Sequence, residues 1–395
     1  MKRKHKGRKI YKTKEKNYYG KSPLGKFLSA ALTVLLIGGI GFIGYSVAEP
    51  VINYTQHKGD KPEENTTSAE TTDGTAPEDA TSPTEGAPKA PEKFTAAGLV
   101  TTDMVSAAAL QTALSAVPRD AGVEFVEVPL KARGGKIYYA TANQAAVSCG
   151  AVSSQLTLAD IVKAIEDSGF KPAAEISTFC DNQLPTYLPE AGYVTVDDGS
   201  QWVDNDPQHG GAPWTTPTSA EALTYITDII GEATDAGFER VICTDIMYPY
   251  FRESDLALLD EQYGRTDRFL ALTSAANLFY EKSVSGGASM YVGVSAADML
   301  RGNCDVLNAP LLSANTVVLS IDTDELKDGV TDGKMLYEFE GSPADMTEKC
   351  LGFLSGRLTD FNVTVRISGS AATAEELAAA KDKAAAHGYS SFVIG

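Results

Sequence analysis

A single acid, Asp245, follows a short apolar run near the middle of the chain. The run Val241-Ile242-Cys243 comes after a segment with helical spacing, and Tyr248-Pro249 ends the stretch soon after the acid. An apolar run of this length is typical of a strand buried on both faces, and α/β barrels bind their ligands where such strands end. Asp245 is therefore the first candidate for a catalytic residue.

Other polar and aromatic residues follow the ends of the remaining predicted strands. They are Lys131, Arg133, Cys180, Asp181, Tyr248, Tyr250, Ser295, Asp298, Asp322, Asp324, Arg366 and Ser368. A long Gly-rich loop before residue 218 adds Asp197, Asp198, Trp202, Asp204, His209 and Trp214. Several carboxylates with aromatic rings favour a sugar ligand, because glycoside hydrolysis uses two carboxyl groups. The structural alternative is that the acids cap helices and the tryptophans plug the barrel mouth.

Several other classes of site lack their sequence signature. The chain contains no Gly-x-Ser-x-Gly, HExxH or P-loop pattern. Its 4 histidines have no metal-ligand spacing and its 5 cysteines form no CxxC pair, so we expect no metal, no cofactor and no disulfide framework. The formal net charge is −18, and a body this acidic is not expected to bind nucleic acid.

Strand and helix patterns alternate from Phe94 to the end of the chain. Eight strands are predicted, with starts at Ala96, Val123, Ala173, Val241, Ser289, Thr316, Val363 and Ser391. After the second of them, Lys136–Thr141 is predicted to return as a hairpin arm. Eight such units predict an α/β fold, a (β/α)8 TIM barrel. The competing topology is a doubly wound open sheet. The weak point of the barrel prediction is that a helix is missing between Leu300 and Thr316.

The first part of the chain predicts a membrane anchor. Residues 1–26 are rich in lysine and arginine, and residues 27–48 contain no charged residue. As a helix the apolar run would extend about 33 Å, enough for a bilayer, and the basic arm would keep the N-terminus cytoplasmic. A cleaved signal peptide is the alternative. Residues 49–93 then read as a disordered linker and 94–395 as an extracytoplasmic barrel on a single-pass cell-membrane protein.

The block from Ala174 to Pro249 resembles a known family. The resembling residues are Phe179-x-Asp181, Asp197-Asp198-Gly199-x-x-Trp202-x-Asp204, Trp214-x-x-Pro217-x-Ser219 and Gly237-Phe238-Glu239-x-Val241-x-x-x-Asp245-x-x-Tyr248-Pro249, with Lys131-x-x-x-Gly135-x-Ile137-x-Tyr139 upstream. They are similar to the putative glycosyl hydrolase domain of bacterial surface and exported proteins. The resemblance implies a TIM barrel distantly similar to α-amylase-type glycosidases.

The resemblance also implies roles for individual residues. Asp245 would be the nucleophile or stabilising carboxylate, with Asp298 or Asp181 as the acid. Apart from the resemblance, the residues at the barrel mouth that we expect to contact the sugar are Trp202, Trp214, Tyr248, Lys131 and Asp322. The chain departs from the family pattern at Pro129, Ala132, Glu175, Ile246 and Met247, and in the one-residue-longer Ser295-Ala-Ala-Asp298.

We therefore expect a membrane-anchored glycoside-hydrolase-like protein that acts on or binds cell-wall or extracellular polysaccharide. The alternative is a catalytically inactive barrel that binds a glycan or a surface partner. The sequence leaves the oligomeric state open.

Overall fold

The computed structural model describes residues 93–119, 122–205, 209–259 and 267–395. The predicted basic arm and membrane anchor lie outside these residues, as does the predicted linker up to residue 92. Within the described ranges, no helix is both long and apolar enough to cross a membrane.

Eight parallel strands form a closed barrel, which confirms the predicted barrel over the open sheet. They are β1 Thr95–Gly98, β2 Phe125–Lys131, β3 Lys171–Ser177, β4 Arg240–Thr244, β5 Ser289–Ser295, β6 Thr316–Asp322, β9 Asn362–Ser368 and β10 Ser391–Ile394. Their order around the barrel is β1-β10-β9-β6-β5-β4-β3-β2, and β1 pairs with both β10 and β2. Two short strands, β7 Val330–Thr331 and β8 Leu336–Tyr337, form a separate antiparallel hairpin.

Helices connect the strands. They are α1 Ala107–Ala116, α2 Gln144–Ser148, α3 Leu158–Asp167, α4 Leu184–Tyr187, α5 Ala220–Asp235, α6 Glu253–Leu258, α7 Arg268–Ser285, α8 Ala296–Arg301, α9 Thr323–Leu326, α10 Pro343–Leu354 and α11 Ala374–Ala386. Many begin at a side chain that accepts a hydrogen bond from a first-turn backbone N–H, as Ser219 does for α5 and Thr373 for α11. Such caps satisfy donors that the helix itself leaves unpaired.

The predicted strand starts agree with the structure to within two residues. The helix that the prediction lacked between β5 and β6 is α8. It begins directly after β5 and ends at Arg301, and the segment from there to β6 is irregular. The predicted hairpin arm Lys136–Thr141 is not a strand, and Ile137 makes only isolated bridges to Lys131 and Val152.

The barrel interior changes character along its axis. A closed apolar cluster fills its lower part, and it consists of Phe94, Ala96, Phe125, Ala173, Ile242, Tyr291, Val318 and Val393. Residues two positions apart on a strand face the same side. One step further along, the inward positions are Glu127, Glu175, Thr244, Gly293 and Ser320. The apolar layer therefore closes the barrel from below, and a polar layer lies on top of it.

Candidate active site

A cavity of about 210 Å³ opens above this polar layer at the C-terminal ends of the strands. Its walls come from strands β3 to β6 and β9 and from the segments that follow them. The lining residues are Arg133, Glu175, Thr244, Asp245, Ile246, Met247, Gly293, Val294, Ser295, Asp298, Asn303, Cys304, Val306, Ser320, Asp322, Glu325, Arg366 and Ser368. Ligands of α/β barrels bind at this face, so the cavity is the candidate active site.

Gly293 gives the cavity part of its depth. A Cβ atom at this position would lie 2.6 Å from Cγ2 of Thr244 on the neighbouring strand. Any side chain here would have to displace the strand β4 side chains, and it would also fill space next to Asp245. The inward position of β5 therefore favours glycine.

Asp245 lies directly after β4 and lines the cavity. Its backbone φ is 55°, and among the described residues it is the only non-glycine residue with a positive φ. The left-handed conformation costs free energy for an L-residue, although aspartate tolerates it better than most. Backbone strain of this kind is concentrated at functional sites.

The Asp245 carboxyl group has two polar neighbours. Ser177 Oγ donates a 2.6 Å hydrogen bond to Oδ2, and an Arg133 guanidinium nitrogen lies 3.6 Å from Oδ1. Burial raises the pKa of Asp245 above its ordinary value, although the Arg133 charge and the Ser177 hydrogen bond oppose the shift. The neighbouring charges of Glu175 and Asp298 add to the increase.

Arg133 is held in place from the opposite side. Its Nε donates a 3.3 Å hydrogen bond to Cys180 Sγ, and its guanidinium carbon lies 5.8 Å from the centre of the Trp214 ring. About half of the Arg133 side chain remains exposed. Its charge therefore acts on Asp245 from the mouth of the cavity.

Two glutamates and an arginine form a charged cluster in the polar layer. Arg366 binds Glu127 through one terminal nitrogen and Glu175 through the other. Burial raises the pKa of Glu127 to about 7, against the opposing charge of Arg366. Burial would also raise the pKa of Glu175, but the Arg366 charge and a hydrogen bond with Glu127 outweigh it and lower that pKa. Of the two, Glu127 therefore binds a proton more readily, and Glu175 is the one that favours the negative charge.

Asp298 and Asp322 also line the cavity, but each has structural partners. Asp298 accepts hydrogen bonds from Tyr250 (2.9 Å) and Arg301 (3.1 Å), and its side chain is only 7% exposed. Asp322 caps α9 by accepting a 2.8 Å hydrogen bond from the backbone of Asp324. Both are placed to contact a ligand, although neither is a free carboxylate.

Lys131 and Asp181 are not in the cavity. They form a fully buried ion pair, with Lys131 Nζ 2.9 Å from Asp181 Oδ2. Lys131 also donates to the backbone oxygen of Ser177 (2.7 Å), and Asp181 accepts from the backbone N–H groups of Gln183 and Leu184. Both side chains are fully buried and hydrogen-bonded to the backbone around them, so the geometry is that of a structural ion pair.

The predicted aromatic platforms are buried as well. Trp202 packs against Tyr193 and Phe251, with ring centres 5.8 and 5.0 Å apart. Trp214 donates from its indole nitrogen to Asp204 (2.9 Å), and the Tyr248 ring lies 4.7 Å from the Arg268 guanidinium carbon. The three rings are only 2 to 6% exposed. They fasten the long loop onto the segment after β4.

Within the described residues, no group of three or more histidine, cysteine, aspartate or glutamate side chains is placed to hold a metal ion.

The sequence of the chain matches a known family over part of its length. The model of the family described as "Putative glycosyl hydrolase domain" matches residues 99–303, just over half of the 395 residues. The chain belongs to this family. The match runs from the end of β1 to just beyond α8, and it includes Asp245, Glu127 and Glu175 but not Arg366. No curated protein matches the chain.

Several solved structures are similar to this chain. The glycoside hydrolase domain of PgaB (BpsB) from Bordetella bronchiseptica is 10% identical, with a TM-score of 0.53 over 77% of this chain and 94% of that one. A hypothetical protein from Ruminiclostridium thermocellum is 20% identical, with a TM-score of 0.42 over 50% of this chain and 96% of that one. The glycoside hydrolase domain of PelA from Pseudomonas aeruginosa is 13% identical, with a TM-score of 0.40 over 77% and 95%. At these identities, the likeness to PgaB shows the barrel fold alone.

The charged cluster is the part of this family member that sequence reasoning missed. Glu127 was not among the candidates, and Glu175 was noted only as a departure from the family pattern. The available signal was a lone acid at an inward position of an otherwise apolar strand, in Phe125-Val-Glu-Val-Pro-Leu and in Ala173-Ala-Glu-Ile. Because an unpaired buried charge is costly, two such acids call for a cation from another strand, and β9 supplies Arg366.

Proposed function

We propose that the protein is a glycoside hydrolase in which Asp245 donates the proton and Glu175 is the second carboxylate. One observation carries the proposal: two carboxyl groups line the same cavity, and their surroundings move their pKa values in opposite directions. Glycoside hydrolysis uses one carboxyl group in its acid form and one that is ionised.

Asp245 suits the role of acid. Its burial favours the protonated form, and its backbone turns the carboxyl group into the cavity. Protonation of the glycosidic oxygen would leave a carboxylate, which Arg133 and the Ser177 hydroxyl would stabilise. This assignment differs from the one that the family resemblance implied, in which Asp245 was the nucleophile or stabilising group and Asp298 or Asp181 was the acid.

Glu175 suits the role of the charged partner. Arg366 keeps it ionised, and about a quarter of its side chain (23%) is exposed. Negative charge in this position would stabilise the positive charge that develops on the sugar ring, or activate a water. Asp298 and Asp181 are weaker candidates, because hydrogen bonds and ion pairs within the protein already occupy them.

A location outside the cytoplasm belongs to the same proposal. The basic residues 1–26 and the uncharged residues 27–48 support a signal anchor, which would present the barrel to cell-wall or extracellular polysaccharide. Fractionation of cells that express the full-length chain tests this. The chain should stay with the membrane after a high-salt wash, and protease should reach the barrel only from outside; a barrel protected in intact cells would contradict the proposal.

The activity is tested with Asp245→Asn, using the full-length protein and a panel of soluble and wall-derived polysaccharides. Asparagine accepts a left-handed backbone and can keep the Ser177 hydrogen bond, so the fold should survive. The release of reducing ends should fall by a factor of about 100 to 10,000, the usual contribution of general acid catalysis. Asp382→Asn, an exposed acid on α11, is the matched control and should retain full activity. Equal activity of Asp245→Asn and wild type would overturn the assignment.

A glycan-binding barrel without hydrolysis is the second candidate. The ion pair between Glu175 and Arg366 favours it, because a paired carboxylate is a weaker nucleophile or base than a free one. In that case polysaccharide would bind the wild-type protein and Asp245→Asn would weaken binding, while neither protein would release reducing ends.

A further inference from the structure

The cavity next to Asp245 is small for a carbohydrate chain. Its volume of about 210 Å³ is below the range of roughly 300–1,000 Å³ that is usual for ligand sites. A substrate longer than one sugar unit must therefore leave the cavity across one of its walls.

Asp298 and its two side-chain partners form one such wall. Asp298 faces the cavity, and it accepts hydrogen bonds from Tyr250 and Arg301. On their other side, Tyr250 and Arg301 line a second groove with Thr331 and Asp332, with a volume of about 520 Å³. One carboxylate thus separates the cavity from a larger groove.

The groove has a rigid frame. Arg301 is the last residue of α8, and Thr331 and Asp332 belong to the β7–β8 hairpin. The turn of this hairpin is held by Asp332, whose carboxyl group accepts from the backbone N–H groups of Lys334 and Met335. The groove therefore lies between a helix end and a fixed turn.

Tyr250 is placed differently from the predicted aromatic platforms. It is 49% exposed, whereas Trp202 is 4% and Trp214 is 6% exposed. Its hydroxyl group is anchored on Asp298, so the ring is fixed at one end while much of its surface meets solvent. A tyrosine with one polar contact and an exposed apolar face is suited to a ligand that is apolar on one face and polar at its edges.

We infer that the groove of Tyr250, Arg301, Thr331 and Asp332 is a second sugar subsite, in which the Tyr250 ring stacks against a pyranose of the chain. The inference rests on the proposed function and adds the path that a bound polysaccharide chain takes out of the cavity. The ligand is a polymer or long oligosaccharide that extends from the cavity past Asp298, and Tyr250 is a binding residue of the extended chain.

Titration calorimetry with the full-length protein tests the subsite. The probes are chito-, cello-, xylo- and malto-oligosaccharides from mono- to hexasaccharide. With Tyr250→Ala, the affinity for the longer members of the bound series should fall about fivefold to tenfold, the usual range of an aromatic contact. The affinity for the monosaccharide should stay unchanged.

Two further variants separate stacking from loss of fold. Tyr250→Phe keeps the ring and should retain most of the gain in affinity with chain length. Thr331→Arg fills the groove from the hairpin side and should remove that gain, although Tyr250 is intact. Tyr187→Ala removes an equally exposed tyrosine (52%) that lines neither the cavity nor this groove, and it should bind like wild type.

Each result supports or overturns the inference. An unchanged dependence on chain length in both Tyr250→Ala and Thr331→Arg would overturn it, even if the wild-type protein binds and cleaves the glycan. Chain-length-dependent binding without cleavage would support the subsite and remove the hydrolase proposal alone. If no probe or wall polysaccharide binds wild type, both fall together.

Discussion

The barrel mouth carries acids, cations and aromatic rings on both sides, but the two sides use them differently. After β2 and β3, Lys131 and Asp181 pair in the interior, and Trp202 and Trp214 fill the space above. From β4 to β9, equivalent strand-end positions border an open cavity around Asp245. One side is therefore filled by the chain itself, and the other is open to a ligand.

The two sides differ in how completely the protein itself supplies hydrogen-bond and ion-pair partners to each polar group. The Asp181 carboxyl group has an ammonium partner and two backbone donors, and its side chain is fully buried, so a ligand in the cavity does not reach it. Asp245 has one serine hydroxyl and a distant arginine, and its burial raises its pKa. Both residues thus lie at the end of a strand. Only Asp245 is incompletely paired, and this distinguishes it as the acid suited to chemistry.

The largest effect, on protein stability, is expected from a substitution in the ion pair on the filled side. Asp181→Ala leaves the Lys131 ammonium buried without its counter-ion, which should lower the free energy of unfolding by about 3–5 kcal/mol. Chemical denaturation measures this loss. Asp245→Asn is the comparison on the open side, and it should leave the unfolding free energy nearly unchanged. If Asp181→Ala were fully stable and Asp245→Asn strongly unstable, the roles of the two sides would be reversed.

A smaller effect is expected from Glu127, at the base of the open side. Its folded-state pKa of about 7 lies above the ordinary value of 4.5, so the folded protein binds this proton more tightly than the unfolded chain. The resulting stability is complete below pH 4.5 and is lost as the pH rises to about 7. Glu175 acts in the opposite sense and at lower pH, because its pKa is lowered.

Glu127→Gln keeps the neutral form at every pH. The loss of unfolding free energy across this window, on the order of 1–3 kcal/mol in the wild type, should therefore become smaller in the variant. Denaturant midpoints measured through the window test this. Glu375→Gln, an exposed acid on α11, should retain the wild-type slope, and an unaltered slope in Glu127→Gln would mean that its proton is not bound more tightly on folding.

The smallest effect is expected from Arg133, which joins the two sides. Its charge lowers the pKa of Asp245, so Arg133→Met should raise that pKa further. If Asp245 acts as an acid, the alkaline fall in activity should move to higher pH, and the shift should be small because a half-exposed guanidinium is screened by solvent. Rate profiles against pH measure the shift. Arg119→Met removes a guanidinium that lies 5.5 Å from the Phe170 ring centre and does not line the cavity, so it should leave the profile in place. A downward shift in Arg133→Met would contradict the assigned charge interaction.

Much of the fold could be predicted from local pattern. Buried strands such as Val241-Ile242-Cys243 and helices with caps such as Ser219 leave signals that need no knowledge of distant contacts. Lys136–Thr141 shows the limit of prediction from local pattern. Its alternation of residue types resembles that of a strand, but only Ile137 forms bridges, and these are isolated. Pairing across a sheet depends on the neighbouring chain, and the segment itself does not contain that information.

The site was only partly predictable for the same reason. Asp245, Asp298 and Asp322 were placed at strand ends, and the structure puts all three around one cavity. Whether an acid is free or occupied depends on residues far away in sequence: Asp298 is bound by Tyr250, and Glu175 by Arg366. The burial of Trp202 likewise depends on Phe251. The residue type indicates which reactions a side chain is capable of. Its partners in the folded protein determine whether that side chain is free to take part in them.

The left-handed backbone at Asp245 restricts which residues can replace it. A φ of 55° is accepted readily by glycine, asparagine and aspartate and poorly by the rest. In related chains, asparagine at this position would keep the turn and lose the proton, and glycine would keep the turn and lose the side chain. A branched residue would require a rebuilt loop. Under the proposed function, the residue aligned with Asp245 would distinguish related barrels that can cleave a glycan from those that can only bind one.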